Sequence, residues 1–106
     1  MSMMYRIRMT LVAALAALTP LIGHADEIQV AVASNFTAPM RVITEQFERD
    51  TGHKVLLSFG STGKLYAQIR NGAPFSILLA ADEQIPVRLE DEGLGVAGSR
   101  FTYAIG

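Results

Sequence analysis

Cysteine is missing from the 106 residues, and histidine occurs only twice, as His24 and His53. Zinc-type sites draw on clustered Cys and His ligands, and His53 has neither nearby in the sequence, so no direct protein–metal ligands are expected. A basic surface is missing as well. Of the nine bases, Arg6 and Arg8 lie in the first 25 residues and all ten acids follow, which leaves residues 26–106 with a net charge of −3. Nucleic acids and anionic lipids select basic surfaces, so neither is expected as a partner. No serine sits in a nucleophile elbow and no histidine is placed to activate one. No catalytic residues are therefore assigned; a secreted α/β enzyme using Ser61 or Asp82 is the alternative from another functional class. Internal repeats, low-complexity runs and linkers are also absent after residue 25.

What is present begins with an export pattern. Arg6 and Arg8 precede an apolar run from Leu11 to Leu18, Thr19-Pro20 breaks it, and Gly23-His24-Ala25 offers small residues ahead of Asp26. This reads as a signal peptide over 1–25, cleaved before Asp26. The run is too short for a transmembrane span, which needs about 20 apolar residues. Export of a cysteine-free chain fits a bacterial periplasm, where packing alone must stabilise the fold. Residues 26–106 approach the lower size limit for an independent core. They end in the strand-like run Phe101–Ile105 with no closing helix or polar tail, so the sequence reads as a fragment.

The patterning after residue 25 alternates between strand and helix. Ile28–Ala33 is β-branched and almost continuously apolar, as in a strand covered on both faces. Ser34–Thr37 supply turn and capping chemistry. Pro39 suits the first turn of a helix, along which Met40, Ile43 and Phe47, with Val42 beside them, form an apolar stripe that ends at Gly52. Lys54–Phe59 reads as a second strand. Ser61 or Thr62 can cap a second helix carrying Leu65 and Ile69 and stopping at Asn71-Gly72. Ser76–Ala80 reads as a third strand, and a third helix starts from Asp82, with Pro86 in its first turn and Ile85 and Leu89 on one face. Phe101–Ile105 completes the series as a fourth strand. The order β-α-β-α-β-α-β predicts an α/β fold: an open parallel sheet with helices on both faces. Ligands of such sheets bind outside the carboxyl ends of the strands.

Two stretches fall at those carboxyl ends: Ser34-Asn35-Phe36, and Ser58-Phe59-Gly60-Ser61-Thr62-Gly63-Lys64-Leu65. Both carry hydroxyl or amide groups and backbone N–H donors, and neither holds a carboxylate. Helix N-termini have unpaired N–H groups and the positive end of the helix dipole, so two that converge make a cradle for an anion. The second stretch imitates a P-loop but fails its pattern. Position 58 is serine where glycine is required, and Leu65 replaces the hydroxyl residue that would bind magnesium. Plain N-capping by Ser61 or Thr62 uses the same geometry as anion contact. Asp82-Glu83 reads as acids favoured in the first turn of a helix.

The ordered set Ala31-Val32-Ala33-Ser34-Asn35-Phe36-Thr37-Ala38-Pro39-Met40, Phe47 with Thr51-Gly52, Leu57–Leu65, Gly72-Ala73-Pro74 and Ala80-Ala81-Asp82 resembles the periplasmic molybdate-binding proteins of ABC transporters, over essentially all of residues 27–106. The resemblance implies a type II periplasmic binding protein whose two lobes close on the ligand. Residues 26–106 would form part of the first lobe, with the second lobe absent. It further implies that Ser34, Asn35, Ser61 and Thr62 bind the oxyanion, with either Ser34 or Asn35 making the main contact in the first loop. The function implied is capture of molybdate or tungstate and delivery to an ABC transporter permease in the inner membrane, without any cofactor. The complete protein is expected to be a monomer, and Tyr103 does not match the ligand tyrosine of the second lobe. A carrier for another oxyanion or an organic acid is the alternative within the binding class. Molybdate and tungstate are fully deprotonated near neutral pH, so a site made of donors suits them, whereas protonated phosphate needs an acceptor.

Overall fold

The computed structural model describes residues 26–105, so the signal segment over 1–25 lies outside the described residues. Three strands, β1 (Glu27–Ala33), β2 (Lys54–Gly60) and β3 (Ile77–Leu79), alternate with three α-helices, α1 (Thr37–Thr51), α2 (Thr62–Arg70) and α3 (Gln84–Asp91). The sheet is parallel throughout, in the order β2-β1-β3. Glu27 pairs with Lys54 at one end of the β1–β2 ladder and Ala33 with Gly60 at the other; Val30, Ala31 and Val32 pair with Ile77, Leu78 and Leu79.

This order places the helices. The β1–β2 crossover through α1 and the β2–β3 crossover through α2 run in opposite directions across the sheet, and right-handed connections then put them on opposite faces. The central strand is covered accordingly: Val30, Ala31, Val32 and Ala33 are all buried. Val30 and Val32 form the core with Met40 of α1, joined by Ile28, Phe36, Val55, Leu57, Phe59 and Leu79. Ala31 and Ala33 leave the opposite face by the period-two alternation of a strand, and their small side chains let α2 come close with the buried Leu65.

The ends of α1 follow the sequence closely. Gly52 takes the left-handed conformation (φ 74°) and donates to Glu48 O at 2.9 Å, closing α1. Pro39 lies in the first turn of α1. Helix α3 starts later than expected, at Gln84, with Glu83 as an N-cap residue whose side chain makes no cap bond, so neither Asp82 nor Glu83 lies in its first turn; Asp82 Oδ1 accepts from Ile85 N–H at 3.2 Å from the turn before it.

Three further expectations need correction. Phe101–Ile105 is not a strand. β3 offers only three paired residues, and this segment is held by a side chain instead: Tyr103 donates its hydroxyl to Ala80 O at 2.9 Å and meets Phe36 edge-on at 5.0 Å, while Phe101 and Ile105 stay exposed. The stripe on α1 is also displaced. Met40 and Thr44 are buried, whereas Val42, Ile43 and Phe47 are exposed. Helix α1 sits on the sheet along the 40/44/48 row, where Glu48 Oε2 accepts from Val55 N–H at 2.9 Å, and the Ile43–Phe47 flank is left exposed. Finally, Ser34–Phe36 forms a 3₁₀ turn, and no side chain caps either that turn or α1; Thr37 Oγ1 instead donates to Ser34 O at 2.7 Å.

Candidate functional site

Each residue singled out at a strand end is positioned by the sheet. Because Ala33 pairs with Gly60, Ser34 and Ser61 are the next residues along two adjacent parallel strands, whose spacing is about 4.8 Å. Continuing the Val32–Leu79 register places Ala80 beside Ala33 and Ala81 beside Ser34. The ends of all three strands thus meet at one edge. In a 2-1-3 order the connections out of β1 and β3 diverge, and the ligand crevice of an open α/β sheet is expected between such strands at their carboxyl ends.

In the first loop Ser34 and Asn35 are exposed, and neither side chain is hydrogen-bonded to a described residue. In the second loop the two hydroxyls have different roles. Ser61 is exposed and is the N-cap of α2, its Oγ accepting from Lys64 N–H at 3.3 Å. Thr62 is buried, and its Oγ1 accepts from Ala81 N–H at 3.1 Å. This bond joins the start of α2 to the end of β3 across the end of β1. It uses a lone pair and leaves the hydroxyl proton for a second partner. The backbone N–H groups of Thr62 and Gly63 have no hydrogen-bond partner among the described residues, as expected for the first turn of a helix.

Gly60 ends β2 beside the buried Leu65: a Cβ there would lie 3.4 Å from Leu65 Cδ2, within van der Waals contact. Nearby, Arg41 of α1 stacks on Phe59 with its guanidinium carbon 5.0 Å from the ring centroid, and Lys64 extends from the first turn of α2. The arrangement can present hydroxyl protons and free N–H groups to an acceptor-only ligand. Among the described residues, His, Asp and Glu form no cluster of three able to hold a metal ion.

Sequence reasoning missed two contributors. Ala81 acts through its backbone N–H, which has no residue signature. Tyr103 lies in a run of strand composition, yet it packs against Phe36 and Ala80 at the same sheet edge. Burial raises its phenol pKa, so the phenol is neutral at physiological pH.

A parallel α/β unit with donor-bearing loops gathered at its carboxyl edge has the build of one part of a ligand-binding protein. The chain belongs to the bacterial extracellular solute-binding protein family, whose model matches residues 28–106. It is 66% identical over 84 residues to the molybdate-binding protein ModA of Azotobacter vinelandii, covering 79% of this chain and 33% of that protein. With ModA of Rhodobacter capsulatus the identity is 48% over 82 residues, covering 77% and 32%. The solved structure of the Azotobacter vinelandii periplasmic molybdate-binding protein superposes with a TM-score of 0.73 at 47% identity, over 74% of this chain and 34% of that one. The chain therefore spans about a third of the length of the relatives it matches.

Proposed function

We propose that this chain is part of an extracytoplasmic solute-binding protein that captures molybdate or tungstate and delivers it to an ABC transporter permease in the inner membrane. The observation that carries the reading is the pairing of Ala33 with Gly60, which sets two carboxylate-free, donor-bearing loops side by side. The 66% identity to a molybdate-binding protein supports the choice of ligand.

In this reading Ser34 or Asn35 reaches the oxyanion from the end of β1, and Ser61 and Thr62 reach it from the start of α2. The free N–H groups and positive dipole of α2 add to the attraction. The hydroxyl of Thr62, already accepting from Ala81, turns its remaining proton toward the ligand. Every group offered is a donor, which matches a dianion whose oxygens only accept. Residues 26–106 make part of the first lobe, and donors from a second lobe complete the enclosure. Residues 1–25 direct export to the periplasm and are removed before Asp26. The protein binds and releases its ligand without transforming it, needs no cofactor, and works as a monomer when complete.

The test is calorimetric titration of the complete mature protein with molybdate, tungstate, sulfate and phosphate. Tight binding of the first two alone is expected. Equal binding of sulfate reduces the assignment to a general oxyanion carrier, and binding of none overturns it.

A further inference from the structure

Helix α2 is held at its start and again one turn along, and only the first of these anchors belongs to the loop described above. At its start Thr62 is bonded to Ala81. One turn later on the same buried face is Tyr66, whose hydroxyl donates to Glu92 Oε1 at 2.5 Å, just past the end of α3. The same carboxylate oxygen accepts from Arg88 Nε at 3.0 Å, and Arg70 Nε lies 3.9 Å from Glu92 Oε2. The guanidinium carbons of Arg88 and Arg70 also lie 4.8 and 6.0 Å from the centroid of the Tyr66 ring. A single carboxylate thus joins a buried phenol to two arginines, one on each helix.

We propose that Tyr66 and Glu92 are positioning residues for oxyanion binding, fixing the rotation of α2 about its axis so that Ser61, Thr62 and the free N–H groups aim into the crevice. The proposal rests on the oxyanion reading of those loops. Thr62, Leu65 and Tyr66 share one buried face of α2. The Tyr66–Glu92 bond, one turn beyond Thr62, resists the rotation and tilt of α2 that the Thr62–Ala81 bond would otherwise restrain alone. Binding groups must be held within about 0.5 Å of their working positions to keep their strength, and a small rotation of a helix moves its first-turn groups by that amount. The Tyr66 hydrogen bond is charge-assisted, so it is short and strongly directional. It lies toward the middle of α2, away from any group that touches the ligand.

The experiment uses the complete mature protein. Tyr66→Phe keeps the ring and its arginine stacking but removes the hydroxyl. Glu92→Ala removes the acceptor, and Glu92→Gln keeps an acceptor oxygen. Asp91→Asn, an exposed neighbour on α3, is the control. Expected is a fall in molybdate affinity of about two- to thirtyfold for Tyr66→Phe and Glu92→Ala, the range for couplings that act through intervening structure. Glu92→Gln should recover much of the loss, and Asp91→Asn should change nothing. Without ligand, amide hydrogen exchange at Lys64 and Leu65, whose N–H groups bond to Ser61, should quicken in Tyr66→Phe. A purely structural contact lowers the melting temperature but leaves affinity and these exchange rates alone; that result overturns the proposal. If the wild-type protein binds no oxyanion, the functional reading fails instead, and the exchange rates still decide whether Tyr66 sets α2.

Discussion

Thr62 Oγ1 and Ala81 N lie 3.1 Å apart, joining residues that follow two strands with no edge in common. Strand β1 lies between them, so this bond passes over its end and ties the outer members of the sheet together. Thr62 is thereby both a structural link and a candidate ligand, and substitutions there should separate from those at Ser34 and Asn35.

Thr62→Ala in the complete protein should be destabilising as well as weaker in binding. Removing the hydroxyl breaks the part-buried bond from the Ala81 N–H, and losing one such bond costs about 0.5–1.5 kcal/mol. Urea denaturation should register that loss, and calorimetry should register a fall in oxyanion affinity of roughly one to two decades. Thr62→Ser keeps the acceptor and should behave nearly as wild type in both measurements.

Asn35→Ala and Ser34→Ala should give the opposite pattern. Both side chains are exposed and neither bonds to the described protein, so stability should stay within about 0.5 kcal/mol of wild type. At whichever residue makes the main contact, oxyanion affinity should drop by roughly one to two decades. Unchanged affinity in both variants removes the first loop from the site.

Ser61→Ala removes the N-cap of α2. Caps are worth about 0.5–2 kcal/mol, and the length of this bond, 3.3 Å, places the expected loss at the low end. Ser61→Gly should cost only a few tenths of a kcal/mol. If both variants retain the fold but lose affinity to the same degree, the hydroxyl itself is a ligand group.

Acid should loosen α3 before the rest of the sheet. The Tyr66 hydrogen bond, with Arg88 and Arg70, holds the Glu92 carboxyl below its ordinary value of 4.5, and Arg100 and the Gly98 N–H do the same for Glu90. A carboxyl whose folded pKa is lowered stabilises fully above the unfolded value, and that stability is lost as pH falls through the folded one. Tyr66 has the reverse sign: burial and the Glu92 bond raise its pKa above 10.0, so its contribution is complete below that value and declines as pH rises beyond it. Amide exchange along α2 and α3 between pH 3 and 7 should show protection falling below about 4.5, while β1 keeps its protection. Protection that does not change over this range rules out these carboxyls as determinants.

Much of the architecture was legible because it rests on local rules. The continuous apolar run Ile28–Ala33 identified a strand covered on both faces, and β1 is buried on both. Gly52 marked a helix end through its left-handed backbone conformation, which is local. The misplaced features depend on what lies across space. Ile43 and Phe47 satisfy helical spacing, but which row of α1 meets the sheet is decided by the position of β2 and the Glu48–Val55 bond. Phe101–Ile105 has strand composition, yet its fate turns on the length of β3 and the Tyr103–Ala80 bond. In the candidate site, the hydroxyl residues were visible as types; the division of labour between Ser61 and Thr62 was not, because it depends on a backbone N–H from another strand.

The central position of β1 has a consequence for assembly. A chain threaded out N-terminus first delivers its middle strand before either neighbour exists. Val30 must wait for Leu57 on one side and for Ile77 on the other, and until then both edges of an apolar strand are open to pairing with other chains. Closing the sheet requires contacts between residues far apart in sequence, which form slowly. The interval before β3 arrives is therefore when this chain is most exposed to aggregation, and holding β1 unpaired during that interval is a task for whatever first receives it.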